Sequence, residues 1–171
     1  MDITSDLSWN THIDRTVNKA NKTLGFLRRN IKTRHEGIRE AAYKTMVRPQ
    51  FEYSSTVWCP NTKQNTDKIE KVQRIAARWV KHNYSTYESV SEMISTLGWR
   101  SLELRRVDAR LCMFYKIVHS LVAIPVPAYF QTPMRRTRHM HPYYFRQVHT
   151  HSSYYQHSLF PNNYCLVEQT A

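Results

Sequence analysis

The chain has 171 residues, 25 Lys and Arg against 13 Asp and Glu, a net charge of +12 and a hydrophobic fraction of 41%. That length allows one domain with a core, or a smaller core plus a tail, and the charge favours phosphate-bearing partners. Three Gly exclude a Gly-rich phosphate loop, no apolar run reaches the ~20 residues of a membrane span, and MDITSDLSWN lacks the pattern of a signal peptide.

Ile13, Val17, Ala20, Leu24, Leu27 and Ile31 recur at steps of three and four, which predicts a first helix from a Ser8 cap to about Ile31. Arg15, Lys19, Lys22 and Arg29 fall nearly opposite that stripe, and Arg28 lies nearer to it. A second helix is expected over Glu36 to Val47, acidic early and basic late, with Pro49 interrupting it. QFEYSSTVW then reads as a short buried helix or a strand, the helix being preferred, and Pro60 to Asn65 as a loop.

Thr66 or Asp67 is the expected cap of a third long helix reaching His82. Its apolar side is Ile69, Val72, Ala76, Trp79 and Val80, and Lys71, Arg74, Arg78 and Lys81 project from the other side. A shorter helix over Tyr87 to Leu97 should end at Gly98. The last helix, Ser101 to Leu121, carries a core face of Leu104, Val107, Leu111, Phe114, Val118 and Leu121. Asp108 sits at the edge of that face, with Arg105 or Arg106 as a partner.

Composition changes at Ala123. The remainder holds five of the seven Pro and nine of the 21 aromatics, but no Lys or Gly, and the helical period is lost. The pattern therefore divides the chain into a helical bundle, residues 1–122, and a Pro-, aromatic- and His-rich tail, residues 123–171. The tail reads as extended segments and turns that could form a hairpin on the helices, or as partly disordered chain. The fold class is all-α, with about five helices.

The basic helix faces are solvated surfaces in the plain reading; two of them in so basic a chain favour contact with a nucleic-acid backbone. Arg135, Arg136 and Arg138 among Tyr129, Phe130, Tyr143, Tyr144 and Phe145 could grip a single strand, or the rings could pack on the bundle. His139 and His141, and His149 and His151, form His-x-His pairs, but no Cys or carboxylate stands nearby at ligand spacing, so no metal or cofactor is expected. Cys59, Cys112 and Cys165 are odd in number and widely spaced, which predicts reduced thiols in an intracellular compartment, nucleus or cytoplasm. Cys59 and Cys112 read as packing residues. The scattered Asp residues offer no pair for two-metal phosphoryl transfer.

Several stretches, in order, resemble the region after the polymerase core in reverse transcriptases of LINE-type (non-LTR), jockey-like retrotransposons. They are SDLSWNTHIDRTVNKANKTLGFLRRN, AAYKTMVRPQFEYSSTVWCP, DKIEKVQRIAARWV, LGWRSLELRR and ARLCMFYKIV, spanning roughly residues 3–160. The resemblance implies a thumb-like helical bundle that holds an RNA–DNA template–primer duplex, or single-stranded nucleic acid, against a palm domain, with no membrane partner. It makes Arg15, Lys19, Lys22, Arg28, Arg29, Lys71, Arg74, Arg78 and Lys81 the candidates for backbone contact. The family's palm with its two adjacent Asp, its fingers and its endonuclease have no counterpart in these residues, and NNYCLVEQTA replaces the family's Trp-Asn and Leu-Pro ending. The expectation is a polymerase remnant without polymerase chemistry. The alternatives are a helical module docking on a separate polymerase core, and a decayed fragment without function.

Overall fold

The computed structural model describes residues 8–60, 62–85, 87–124 and 138. The tail's His pairs, its aromatic residues and its expected hairpin lie outside them, as does Cys165; Arg138 is exposed in a turn. Two compact units meet between Arg106 and Val107.

The described residues are all helical, with no strand. The order is α1 (Asn10–Asn30), α2 (Glu36–Ala42), a π-helical turn (Tyr43–Val47), α3 (Pro49–Glu52), α4 (Lys63–Val80), α5 (Val90–Thr96) and α6 (Leu102–Val118). Taking the run from α2 through α3 as one, there are five helices, as the periodicity predicts.

The first unit closes around one core. Ile13, Ala20, Leu24 and Leu27 of α1 meet Tyr43, Val47 and Phe51. Trp58, the apolar side of α4 and Leu102 complete it. The predicted stripes of α1 and α4 are thus the buried ones, with Val17 and Ile31 packing at the margin.

Helices α1 and α4 run parallel. Asn65 donates to Asn10 (2.7 Å), Lys68 pairs with Asp14 (2.6 Å), and the Arg28 guanidinium lies over the Tyr84 ring (5.7 Å). Each contact joins residues about 55 apart, so the offset holds along the whole seam. The run from α2 to α3 returns between them: Lys81 reaches Glu36 (2.8 Å), Gln50 reaches Thr23 (3.0 Å), and Trp58 meets His12 edge-on.

Several boundaries differ from expectation. α1 starts at Asn10 without a side-chain cap bond. The second helical run ends at Val47 and a separate helix starts at Pro49, as expected, but the last turn of that run is π-helical. The chain widens into the π turn, in which Arg48 N–H donates to the Tyr43 carbonyl (3.0 Å), and Pro49 opens α3, where no N–H is required. QFEYSSTVW is helical only to Glu52 and then turns through Ser54, at φ 53°. The expected loop at Pro60–Asn65 already contains the start of α4, because Thr62, not Thr66 or Asp67, accepts the Asn65 N–H (3.4 Å). α5 begins at Val90, three residues later than Tyr87.

Gly98 ends α5 as predicted. At φ +63° its N–H reaches the Ser95 carbonyl (2.9 Å), and Trp99 N–H reaches Ile94 (3.0 Å). The same paired bonds close α4 at His82 and α6 at Ser120, where φ is also positive without a Gly.

α6 departs most. Its buried positions are Leu102, Arg106, Arg110 and Ile117, whereas Leu104 and Leu121 of the predicted face are exposed. Cys112 is exposed as well, not a packing residue, and Cys59 is half-buried. The N-terminus of α6 is held by Glu70, whose Oε1 accepts the Glu103 N–H (2.9 Å).

Burial raises the carboxyl pKa of Glu70 above the usual value, against the lowering by that backbone bond and by Arg106. A raised native pKa means that the folded state binds the proton more readily than the unfolded state. Stability from this group therefore falls as pH rises from the unfolded to the folded pKa. Glu70→Gln keeps an oxygen for the Glu103 N–H. We expect it to be more stable than the wild type at neutral pH, with the gap closing as pH falls below that window. Urea melts across pH would show a constant gap if the charge carried no penalty.

Candidate nucleic-acid interface

On α1, Arg15, Lys19, Lys22, Arg28 and Arg29 are all exposed. At 100° per residue, Arg15, Lys19, Lys22 and Arg29 fall within an arc of about 80°, and Arg28 lies well outside it. Arg28 turns to the seam instead and rests on Tyr84. Lys22 and Arg29, with Asn18, Asn21 and Gly25, also line a surface recess of about 440 Å³.

On α4, Lys71, Arg74, Arg78 and Lys81 share a second arc of about 80°. Lys71 and Arg74 are exposed. Arg78 donates to the Ser85 carbonyl (2.7 Å), which ties the loop after α4, and Lys81 is paired with Glu36.

The parallel seam fixes how the two arcs relate. The contacts at Asn10, Asp14 and Arg28 set the side of α1 that faces α4; those at Asn65 and Lys68 set the facing side of α4. Measured from the seam, the basic arcs turn in opposite senses by about 120–130°, which on parallel helices brings them to the same side of the pair. The core stripes turn to the other side. Lys19, Lys22, Arg29, Lys71 and Arg74 thereby lie on one solvent-facing surface, with Arg15 at its α1 end. Asp67 is the acidic residue at the α4 end of this surface, one turn before Lys71.

Four glutamates elsewhere in the first unit are engaged in ion pairs and hydrogen bonds. Glu40 holds Lys44 (2.6 Å) and accepts the Trp99 indole N–H (2.8 Å), and these contacts keep its carboxyl below the usual pKa. Glu52 takes both Arg48 (3.2 Å) and Arg105. Glu88 accepts from Asn83, and Glu36 binds Lys81. Among the described residues, no three His, Cys, Asp or Glu cluster as metal ligands, and no helix is long and apolar enough to cross a membrane.

Arg39 is a structural cation that the sequence pattern does not flag. Only 4% exposed, it donates to the Thr33 carbonyl (2.7 Å) and the Trp79 carbonyl (2.8 Å), closing the C-terminal end of α4. Its guanidinium also lies over the Trp79 ring. The only sequence signal is its one-residue separation from Glu40 on a short helix, which does not distinguish it from a surface Arg. No protein family, curated protein or solved structure matches the chain.

Proposed function

We propose that the helical unit binds the backbone of a nucleic-acid duplex, as the thumb of a LINE-type reverse transcriptase would, and contributes position instead of chemistry. The observation that carries this reading is the turning of both basic arcs to one side of the parallel α1–α4 pair. Lys and Arg on one rigid face neutralise phosphates without reading bases.

Fluorescence anisotropy with an RNA–DNA duplex across salt tests the proposal. Binding should weaken as salt rises, with a log–log slope near −0.9 per phosphate contacted, taking duplex DNA as the guide. Lys22→Gln with Arg29→Gln should reduce the steepness by about 2, whereas Arg28→Gln should leave it nearly unchanged. No binding at low salt, or binding without a slope, sinks the reading. Primer extension should give no product; incorporated nucleotide would refute the non-catalytic part.

Exposed Phe26, Ile38, Met46, Tyr53 and Val57 favour a second reading, in which the unit docks on a separate polymerase core. Co-sedimentation with such a core, lost on Tyr53→Ser with Val57→Ser but kept in the α1 charge variants, would select it.

A further inference from the structure

Cys59 follows Trp58, whose burial and indole hydrogen bond to the Tyr53 carbonyl (2.8 Å) fix the chain at that point. The thiol is half-buried, so it keeps access to small solutes. Arg106 reaches it from α6. Leu102, one turn earlier, is buried in the core, and Glu70 holds the start of the helix by accepting the Glu103 N–H (2.9 Å). These contacts turn Arg106 to the buried side of α6.

Arg106 is short of acceptors. Its Nε and both terminal nitrogens are buried without a well-formed hydrogen bond. The guanidinium makes a weak contact with the Cys59 side chain, and a thiol sulfur is a poor acceptor. Glu70 and Glu103 lie near enough to attract the cation but do not bond to it: Glu70 is committed to the α6 backbone, and Glu103 is exposed. Buried charges are normally paired and hydrogen-bonded. An oxygen acceptor built onto the Cys59 sulfur would meet that need where it arises.

We propose that Cys59 is an oxidation site whose sulfinate is held by Arg106. The thiolate sulfur attacks one oxygen of hydrogen peroxide. An S–O bond forms, the O–O bond breaks, and the leaving hydroxide takes up the thiol proton as water. A second peroxide converts the sulfenic acid to sulfinic acid and water, and the acid then loses its proton. Each step moves two electrons from sulfur to peroxide. The resulting anion carries two oxygens that accept charge-assisted hydrogen bonds from the guanidinium. Glu70 and Glu103 repel such an anion, so the gain rests on the hydrogen bonds that neither of them makes. The site is independent of the duplex reading, since neither Cys59 nor Arg106 belongs to the α1 and α4 arcs.

Cys112→Ser with Cys165→Ser leaves Cys59 as the one thiol of the full chain. Peroxide treatment, peptide mass mapping and urea melts then test the proposal. The Cys59 peptide should gain two oxygens, and the urea midpoint should rise. The same treatment of a chain that also carries Cys59→Ser subtracts the effect of oxidised methionines. Arg106→Leu, which adds no oxidisable sulfur, should abolish the rise. A second arm needs no peroxide. Cys59→Asp, whose carboxylate has the charge and nearly the shape of a sulfinate, should unfold at higher urea than Cys59→Asn, and Arg106→Leu should remove that difference. A midpoint that stays or falls when Cys59 is oxidised, a rise that survives Arg106→Leu, or Cys59→Asp unfolding before Cys59→Asn overturns the proposal. So does a wild-type chain in which Cys112 is oxidised while Cys59 remains a thiol.

Discussion

Trp58→Ala should destabilise the first unit by about 3–5 kcal/mol, the range for truncating a buried Trp. Trp58 is 1% exposed and sits in the core beside α1, where its ring meets His12 edge-on at 5.1 Å. Its indole N–H donates to the Tyr53 carbonyl (2.8 Å), which pins the turn through Ser54. Truncation removes the packing, opens a void and leaves the carbonyl without that donor. Against a total stability of roughly 5–15 kcal/mol, such a loss leaves a large unfolded population or none folded at all. Trp58→Phe keeps most of the ring and loses the hydrogen bond, so it should cost about 1–2 kcal/mol. Urea melts measure both. An unfolding free energy for Trp58→Ala within about 1 kcal/mol of the wild type, at unchanged slope, would show that Trp58 is not a core residue.

Arg106→Met should stabilise the protein by about 1–3 kcal/mol, the penalty of a buried polar group left unsatisfied. Arg106 is 2% exposed, and Nε and both terminal nitrogens make no well-formed hydrogen bond, a weak contact with the Cys59 side chain being all that offsets their burial besides nearby charge. Burial pushes its pKa down, and the nearby Cys59, Glu70 and Glu103 only partly oppose this. Methionine preserves the stem's length and packing while removing the stranded charge. The gain depends on Glu70, which loses a favourable neighbour in the variant. Arg106→Met with Glu70→Gln should therefore exceed the sum of the single effects, and a double-mutant cycle measures the coupling. A loss of 2 kcal/mol or more in Arg106→Met would mean that the cation holds an interaction essential to the fold.

What the sequence makes legible depends on how far each residue's role is local. The stripes of α1 and α4 follow from a period that any solvent-facing helix must obey, and Gly98 ends α5 through its own backbone freedom. The nine candidate cations could be placed on helix faces, but not sorted. Arg28 turns to Tyr84 and Lys81 to Glu36, partners 56 and 45 residues distant, which periodicity cannot reveal. α6 misleads for the same reason. Its apolar residues occupy more than one face, so the pattern picks Leu104 and Leu121, while the tertiary environment buries Arg106 and Arg110. The π turn was hidden because Pro49 signals a break by its chemistry, and a widened turn that absorbs the missing donor produces the same local sequence.

The parallel pairing of α1 and α4 has a consequence for how the chain acquires its shape. Neighbouring helices in simple bundles join as antiparallel hairpins and can close early. Here α1 can find its partner only after a return path of more than 30 residues, Ile31 to Thr62, has been laid down. During synthesis the first helix must emerge, and its apolar stripe wait, until α4 has left the ribosome. Sequence separation of this kind slows folding relative to local helical contacts. Refolding should therefore be slower than in an up-and-down bundle of equal size, and chains halted before Val80 should expose the stripe of Ile13, Ala20, Leu24 and Leu27 to chaperones.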